Sequence, residues 1–141
     1  MVNKMNKIIL ASHGELSKGM FDSISMIIGH VENCTYFGLK PGQDNVELAS
    51  QIEKYVNENS QDQCVIVCDL LGGSVSNAVS RLADNQRVFV INGMNMGLVI
   101  SLALQVEDID KDMIDSLIEE CKMGINRVDL DGEESFEDEI I

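Results

Sequence analysis

Three places in this 141-residue chain carry side chains of a kind that does chemistry. His13 follows the apolar run KIILAS (7–12) and precedes Gly14; Asp69 falls near the end of a second apolar run, QCVIVCDL (63–70); Gly72, Gly73 and Ser74 come soon after it. In an open α/β sheet the crevice that receives ligands lies outside the carboxyl ends of the strands. If the two apolar runs are neighbouring strands, His13 and Asp69 meet there. A carboxylate that accepts from one imidazole nitrogen fixes the tautomer and the ring orientation, and leaves the other nitrogen as a base or nucleophile. The two glycines let the backbone approach a ligand closely. With the Ser74 hydroxyl and the amide groups of the helix start that follows, they form a site suited to an anion such as phosphate.

Each feature also has an ordinary structural explanation. A histidine at a strand end can simply be structural, an aspartate can cap a turn, and G-G-S before a helix is common turn chemistry. Their coincidence at strand ends points to phosphoryl transfer to and from histidine, in which catalysis is positioning plus stabilisation of charge on the transferring oxygens. That chemistry needs no metal and no cofactor. GGSVSN lacks the lysine of a nucleotide-binding P-loop and GMNMGLV lacks a G-x-G-x-x-G fingerprint, so no nucleotide is required.

The elements that must position these groups alternate. KIILAS reads as a buried strand, and ELSKGMFDSISMIIG as an amphipathic helix with Leu16, Met20, Ile24, Ile27 and Ile28 at helical spacing. NCTYFGL (33–39) is a second strand. Pro41 and Gly42 then turn the chain into DNVELASQIEKYVNEN, with Val46, Ala49, Ile52, Tyr55 and Val56 on one face and an Asp44/Glu47 capping box at its start. QCVIVCDL is a third strand, GGSVSNAVSRLADN a loop leading into a helix, and QRVFVIN (86–92) a fourth strand. MNMGLVISLALQ and DKDMIDSLIEECKM are further helices, and GINRVDL (124–130) is an expected additional edge strand. Four β/α alternations predict a doubly wound, three-layer α/β/α domain with a four-stranded parallel sheet and right-handed crossovers.

One domain is expected over residues 1–131, followed by an acidic tail, GEESFEDEII (132–141). The net charge of −14, with 14 of the 24 acidic residues after position 106, argues against nucleic acid and against anionic membrane surfaces. A solvated acidic end is the plain reading of the tail, and a surface that steers a basic partner the sharper one. No apolar run is long enough to span a bilayer and no signal peptide is evident, which predicts a cytoplasmic protein. The spacing of Cys34, Cys64, Cys68 and Cys121 matches no C-x-x-C or zinc pattern, so they read as small core residues. His30, at the end of the first helix, reads as structural, set to interact with terminal carbonyls.

IILASHGELSKGM, PGQDNVELASQIE, VCDLLGGSVSNAVSRL and VINGMNMGLV, in that order, resemble the enzyme IIA component of the mannose family of the phosphoenolpyruvate-dependent sugar phosphotransferase system, over about residues 7–130. The resemblance implies a phosphocarrier that takes a phosphoryl group from phospho-HPr and passes it to a IIB component, serving membrane IIC and IID components indirectly. It implies that His13 is phosphorylated on Nε2, that Asp69 orients the ring, and that Ser74, with Gly72 and Gly73, lies beside the phosphoryl group. It also implies a homodimer, in which GINRVDL would be an antiparallel strand exchanged between subunits. Family members often have proline where this chain has Val75 and Gly97; Met96 and Gly97 are expected on the rim of the same site. Two other functions fit the same residues: the phosphocarrier subunit of a dihydroxyacetone kinase, and a non-catalytic module that binds a phosphorylated partner.

Overall fold

The computed structural model describes residues 5–131. Four strands, β1 (Lys7–His13), β2 (Cys34–Leu39), β3 (Cys64–Cys68) and β4 (Val88–Asn92), alternate with helices. The helices are α1 (Leu16–Ile28), α2 (Asn45–Glu58), α3 (Ser74–Val79, continued by a 3-10 turn over Ser80–Asp84), α4 (Met96–Ala103) and α5 (Lys111–Lys122). All strand pairs are parallel and the sheet order is β2-β1-β3-β4, so β1 and β3 are the central, adjacent strands.

Side chains alternate across a strand, so a strand covered on both faces must be apolar at every position. In β1, Ile8 and Leu10 face a core shared with Ile24 of α1, Leu98 and Leu102 of α4 and Ile114 of α5. Ile9 and Ala11 face the opposite core, with Leu48 and Ile52 of α2 and Val75 and Val79 of α3. All five residues of β3 are buried. Each valine, leucine or isoleucine side chain so buried contributes about 1.5–3 kcal/mol. The cysteines are unpaired; Cys34, Cys64 and Cys68 are buried and Cys121 is half-buried.

Three local expectations differ from what forms. Val46 is exposed and Leu48 takes its place on the inner face of α2, because Val46 lies in the first turn of the helix. Leu16 and Ile27 of α1 are likewise largely exposed, and the residues buried there are Ser17 and Ile24. The Asp44 side chain caps α2 by accepting from the Val46 amide at 2.9 Å, whereas no return bond from Glu47 completes a box among the described residues.

The expected edge strand at 124–130 does not form among the described residues. That segment has no regular structure and exposes Ile125, Val128 and Leu130. A strand needs a neighbour for its backbone hydrogen bonds, and none pairs with this one here. The tail at 132–141 lies outside the described residues.

Candidate functional site

The sheet brings His13 and Asp69 together because β1 and β3 are hydrogen-bonded neighbours in a register that pairs Ala11 with Cys68. Both strands finish at the same end of the sheet, with His13 two residues beyond Ala11 and Asp69 one residue beyond Cys68. The Asp69 Oδ2 atom accepts two hydrogen bonds from one residue: from the His13 backbone N–H at 2.8 Å and from the His13 ring at Nδ1, 2.7 Å away. Its Oδ1 atom accepts from the Leu70 amide at 3.0 Å.

Burial alone would raise the Asp69 carboxyl, but the His13 backbone N–H, the His13 ring and its charge, and the Leu70 N–H together outweigh it. They hold the group below the usual carboxylate range. An ionised carboxylate only accepts, so Nδ1 carries the proton and, in the neutral ring, Nε2 carries the lone pair. The Asp69 side chain is 4% exposed and that of His13 47% exposed, so a buried anion holds a ring whose other edge is open.

Ser74 stands on that open edge, its hydroxyl 3.1 Å from Nε2, where it donates to the neutral ring. The segment leading to it is shaped by glycine. Gly72 has φ +77°, a conformation side chains rarely adopt, and a Cβ on Gly73 would lie 3.3 Å from His13 Cε1 and from Leu70 Cγ. The start of α3 is fastened from three directions. Asn77 N–H donates to the Gly73 carbonyl at 3.0 Å, Ser76 Oγ donates to Asn92 Oδ1 at 2.6 Å, and Asn45 Nδ2 donates to the Ser74 carbonyl at 3.3 Å. Leu70 and Leu71 of this segment, Leu16 at the start of α1 and Val46 at the start of α2 are exposed, giving the carboxyl end of the sheet an apolar surface around the polar groups.

The groups under His13 were not legible as part of the site. Ser12, fully buried, accepts from the Ser17 amide at 2.8 Å, and Ser17 Oγ donates to the Phe37 carbonyl at 3.0 Å, tying the start of α1 to both strands. Gly38 has to be glycine because a Cβ there would collide with the Gly14 carbonyl. A serine just ahead of a helix is the one sequence signal that could have pointed to Ser12; Gly38 carries none.

Met96 and Gly97 border a hollow of about 480 Å³ between α4 and the end of α5, with Ser101, Glu120 and Gly124. A hollow of about 470 Å³ beside His13 is lined instead by Gly14, Lys18, Tyr36, Gly38, Lys40 and Gln43, among others. His30 is exposed and its ring meets no helix carbonyl among the described residues, contrary to the expected contact, because Gly29 closes α1 through its own N–H to the Ser25 carbonyl. Cys68, next to Asp69, is no competing nucleophile: burial, and then the Asp69 charge, push its thiol up to about 12. Among the described residues no cluster of three or more His, Cys, Asp or Glu side chains is placed to hold a metal ion. No described helix is long and apolar enough to cross a membrane.

Comparison with known proteins bears on what this arrangement serves. A family model described as the PTS system fructose IIA component, EIIA-man, matches residues 7–121. The sorbose-specific EIIA component of Klebsiella pneumoniae is 34% identical over 95 residues, covering 67% of this chain and 70% of that protein. The mannose-specific EIIAB component of Escherichia coli is 26% identical over 106 residues, and the match covers 72% of this chain but only 32% of that protein. In fold, the mannose/sorbose-specific IIA subunit from Enterococcus faecalis superposes with a TM-score of 0.80 at 19% identity, over 89% of this chain and 96% of that one. On the extent of the family match and the identity to the sorbose-specific component, the chain belongs to the EIIA-man family, the IIA components of the mannose type in the sugar phosphotransferase system.

Proposed function

We propose that the chain is a cytoplasmic phosphocarrier in which His13 accepts a phosphoryl group from phospho-HPr and delivers it to a IIB component, for use by membrane IIC and IID components in sugar uptake. The observation that carries this reading is the imidazole itself, held at Nδ1 by Asp69 at 2.7 Å and open at Nε2 beside the Ser74 hydroxyl. Family membership supports the sugar-transport assignment over the kinase and regulatory alternatives.

In the acceptance step, with the donor HPr carrying its phosphoryl group on a histidine as the family resemblance implies, the Nε2 lone pair attacks phosphorus in line with the donor's P–N bond. That bond breaks as the new one forms, and its electron pair returns to the donor imidazole. The His13 ring gains positive charge, which the buried Asp69 carboxylate stabilises through the Nδ1–H bond without taking the proton. The Ser74 hydroxyl, which donates to Nε2 at rest, turns its hydrogen to a phosphoryl oxygen as Nε2 becomes bonded. Gly72 and Gly73 keep that side clear. Delivery to IIB runs the same steps in reverse, with His13 as leaving group. Because one nitrogen meets two proteins in turn, an open site and brief encounters suit the task.

We further read residues 1–131 as one phosphocarrier domain, which contains the matched region 7–121, and place the chain in a homodimer. Met96 and Gly97 are assigned to the outer rim that partners meet. Intact-protein mass after incubation with phosphoenolpyruvate, enzyme I and HPr tests the central claim. The expected result is one acid-labile phosphoryl group, absent from His13→Ala. No gain while HPr is itself phosphorylated would overturn it.

A further inference from the structure

We propose that Asn45, the first residue of α2, is a positioning residue for Ser74 and through it for the phosphoryl group on His13. The proposal rests on the phosphocarrier reading above. Asn45 Nδ2 donates to the Ser74 carbonyl at 3.3 Å, joining two segments 29 residues apart in sequence. The other two fastenings of this segment act on its neighbours, at the Gly73 carbonyl and the Ser76 hydroxyl. Among the described residues, Asn45 is the one side chain that holds the backbone of Ser74 itself.

The geometry explains why that grip matters. A peptide unit is planar, so fixing the Ser74 carbonyl fixes the plane that joins it to Val75 and the Cα from which the hydroxyl extends. The hydroxyl already sits 3.1 Å from Nε2, and both His13 and Ser74 are exposed residues. Asn45 itself springs from a firm base, because the neighbouring Asp44 carboxylate caps the helix by accepting from Val46 at 2.9 Å. Without the Asn45 bond, Ser74 keeps its place in α3 but loses its lateral restraint. Displacements well under 1 Å at a reacting group already slow a reaction, so a loss of about threefold to tenfold in transfer is expected from one hydrogen bond.

The test is single-turnover transfer from phospho-HPr, with melting temperature recorded for every protein: wild type, Asn45→Ala, Asn45→Asp, Ser74→Ala and the Asn45→Ala/Ser74→Ala double variant. Aspartate has the shape of asparagine and suits the positive end of α2, but it presents an oxygen to the Ser74 carbonyl in place of a donor. Asn45→Asp is therefore expected to melt no lower than wild type yet to transfer at least as slowly as Asn45→Ala. In the Ser74→Ala background, removing Asn45 is expected to change the rate no further. Wild-type rates in Asn45→Ala, rates that follow melting temperature across the set, or an undiminished effect without the Ser74 hydroxyl would each overturn the proposal. A wild-type protein that gains no phosphoryl group would instead overturn the phosphocarrier reading, and this inference with it.

Discussion

Replacing Asp69 by asparagine removes charge while keeping shape, and the structure sets the size of the effect. The carboxylate makes three hydrogen bonds, of 2.7 Å to the His13 ring, 2.8 Å to the His13 amide and 3.0 Å to the Leu70 amide. An asparagine has one acceptor oxygen, which can serve either the two His13 groups or the Leu70 amide, and even where it serves His13 it brings no charge to the imidazole on which positive charge develops. A hydrogen bond to a charged group is worth about 1.5–3 kcal/mol. At about 1.4 kcal/mol per factor of ten, transfer from phospho-HPr should slow about 10- to 150-fold. Rapid-quench measurement of phosphoryl transfer, at saturating donor, reads the effect directly, and circular dichroism checks that the sheet survives. A rate within about twofold of wild type, in a folded protein, would mean that the carboxylate neither orients the ring nor stabilises its charge.

The same aspartate gives stability a sign. Its native pKa lies below its ordinary value of 3.8, so its stabilising contribution is present above that value and is lost as the pH falls through the lower native one. In urea titrations the gap between wild type and Asp69→Asn should therefore be wider at pH 7 than at pH 2.5. Gly38→Ala sets a methyl against the Gly14 carbonyl, and should lower stability by about 1–3 kcal/mol in thermal melts while retarding transfer, since the strand end that carries His13 must shift. Asn6 is nearly buried; its side chain donates to the carbonyls of Gln105 and Glu107 and accepts from the Ile109 amide, so it anchors the connection from α4 to α5. Asn6→Ala should cost about 2–4 kcal/mol in chemical denaturation without altering the transfer rate of the folded protein.

The parallel sheet was legible because KIILAS and QCVIVCDL are apolar on both faces, which only covered, central strands require. The meeting of His13 with Asp69 was legible only on condition that the two strands are neighbours, and the sheet order supplies that condition. Helix faces were less legible at the open end of the sheet, where Leu16 and Val46 keep the helical spacing of core residues but have no layer to pack against. Asn45 carries no sequence signal of its own, because its partner Ser74 is supplied by another crossover and no local pattern announces it. Gly38 was hidden in a strand for the same reason: what forbids a side chain there is the backbone of a different segment. The 124–130 stretch has strand-like residues, but whether they pair depends on a second strand that is not encoded beside it.

A single oxygen of Asp69 grips both the backbone and the ring of His13. This is a chelate closed through one residue: once the amide is bound, the ring nitrogen is tethered a few bonds away and meets the oxygen at high effective concentration. The imidazole therefore has little torsional freedom left to lose when a partner arrives. It also means that one main-chain proton shares its acceptor with the reactive ring. Solvent exchange of the His13 amide becomes a built-in gauge of whether the ring is held, readable with no partner protein present.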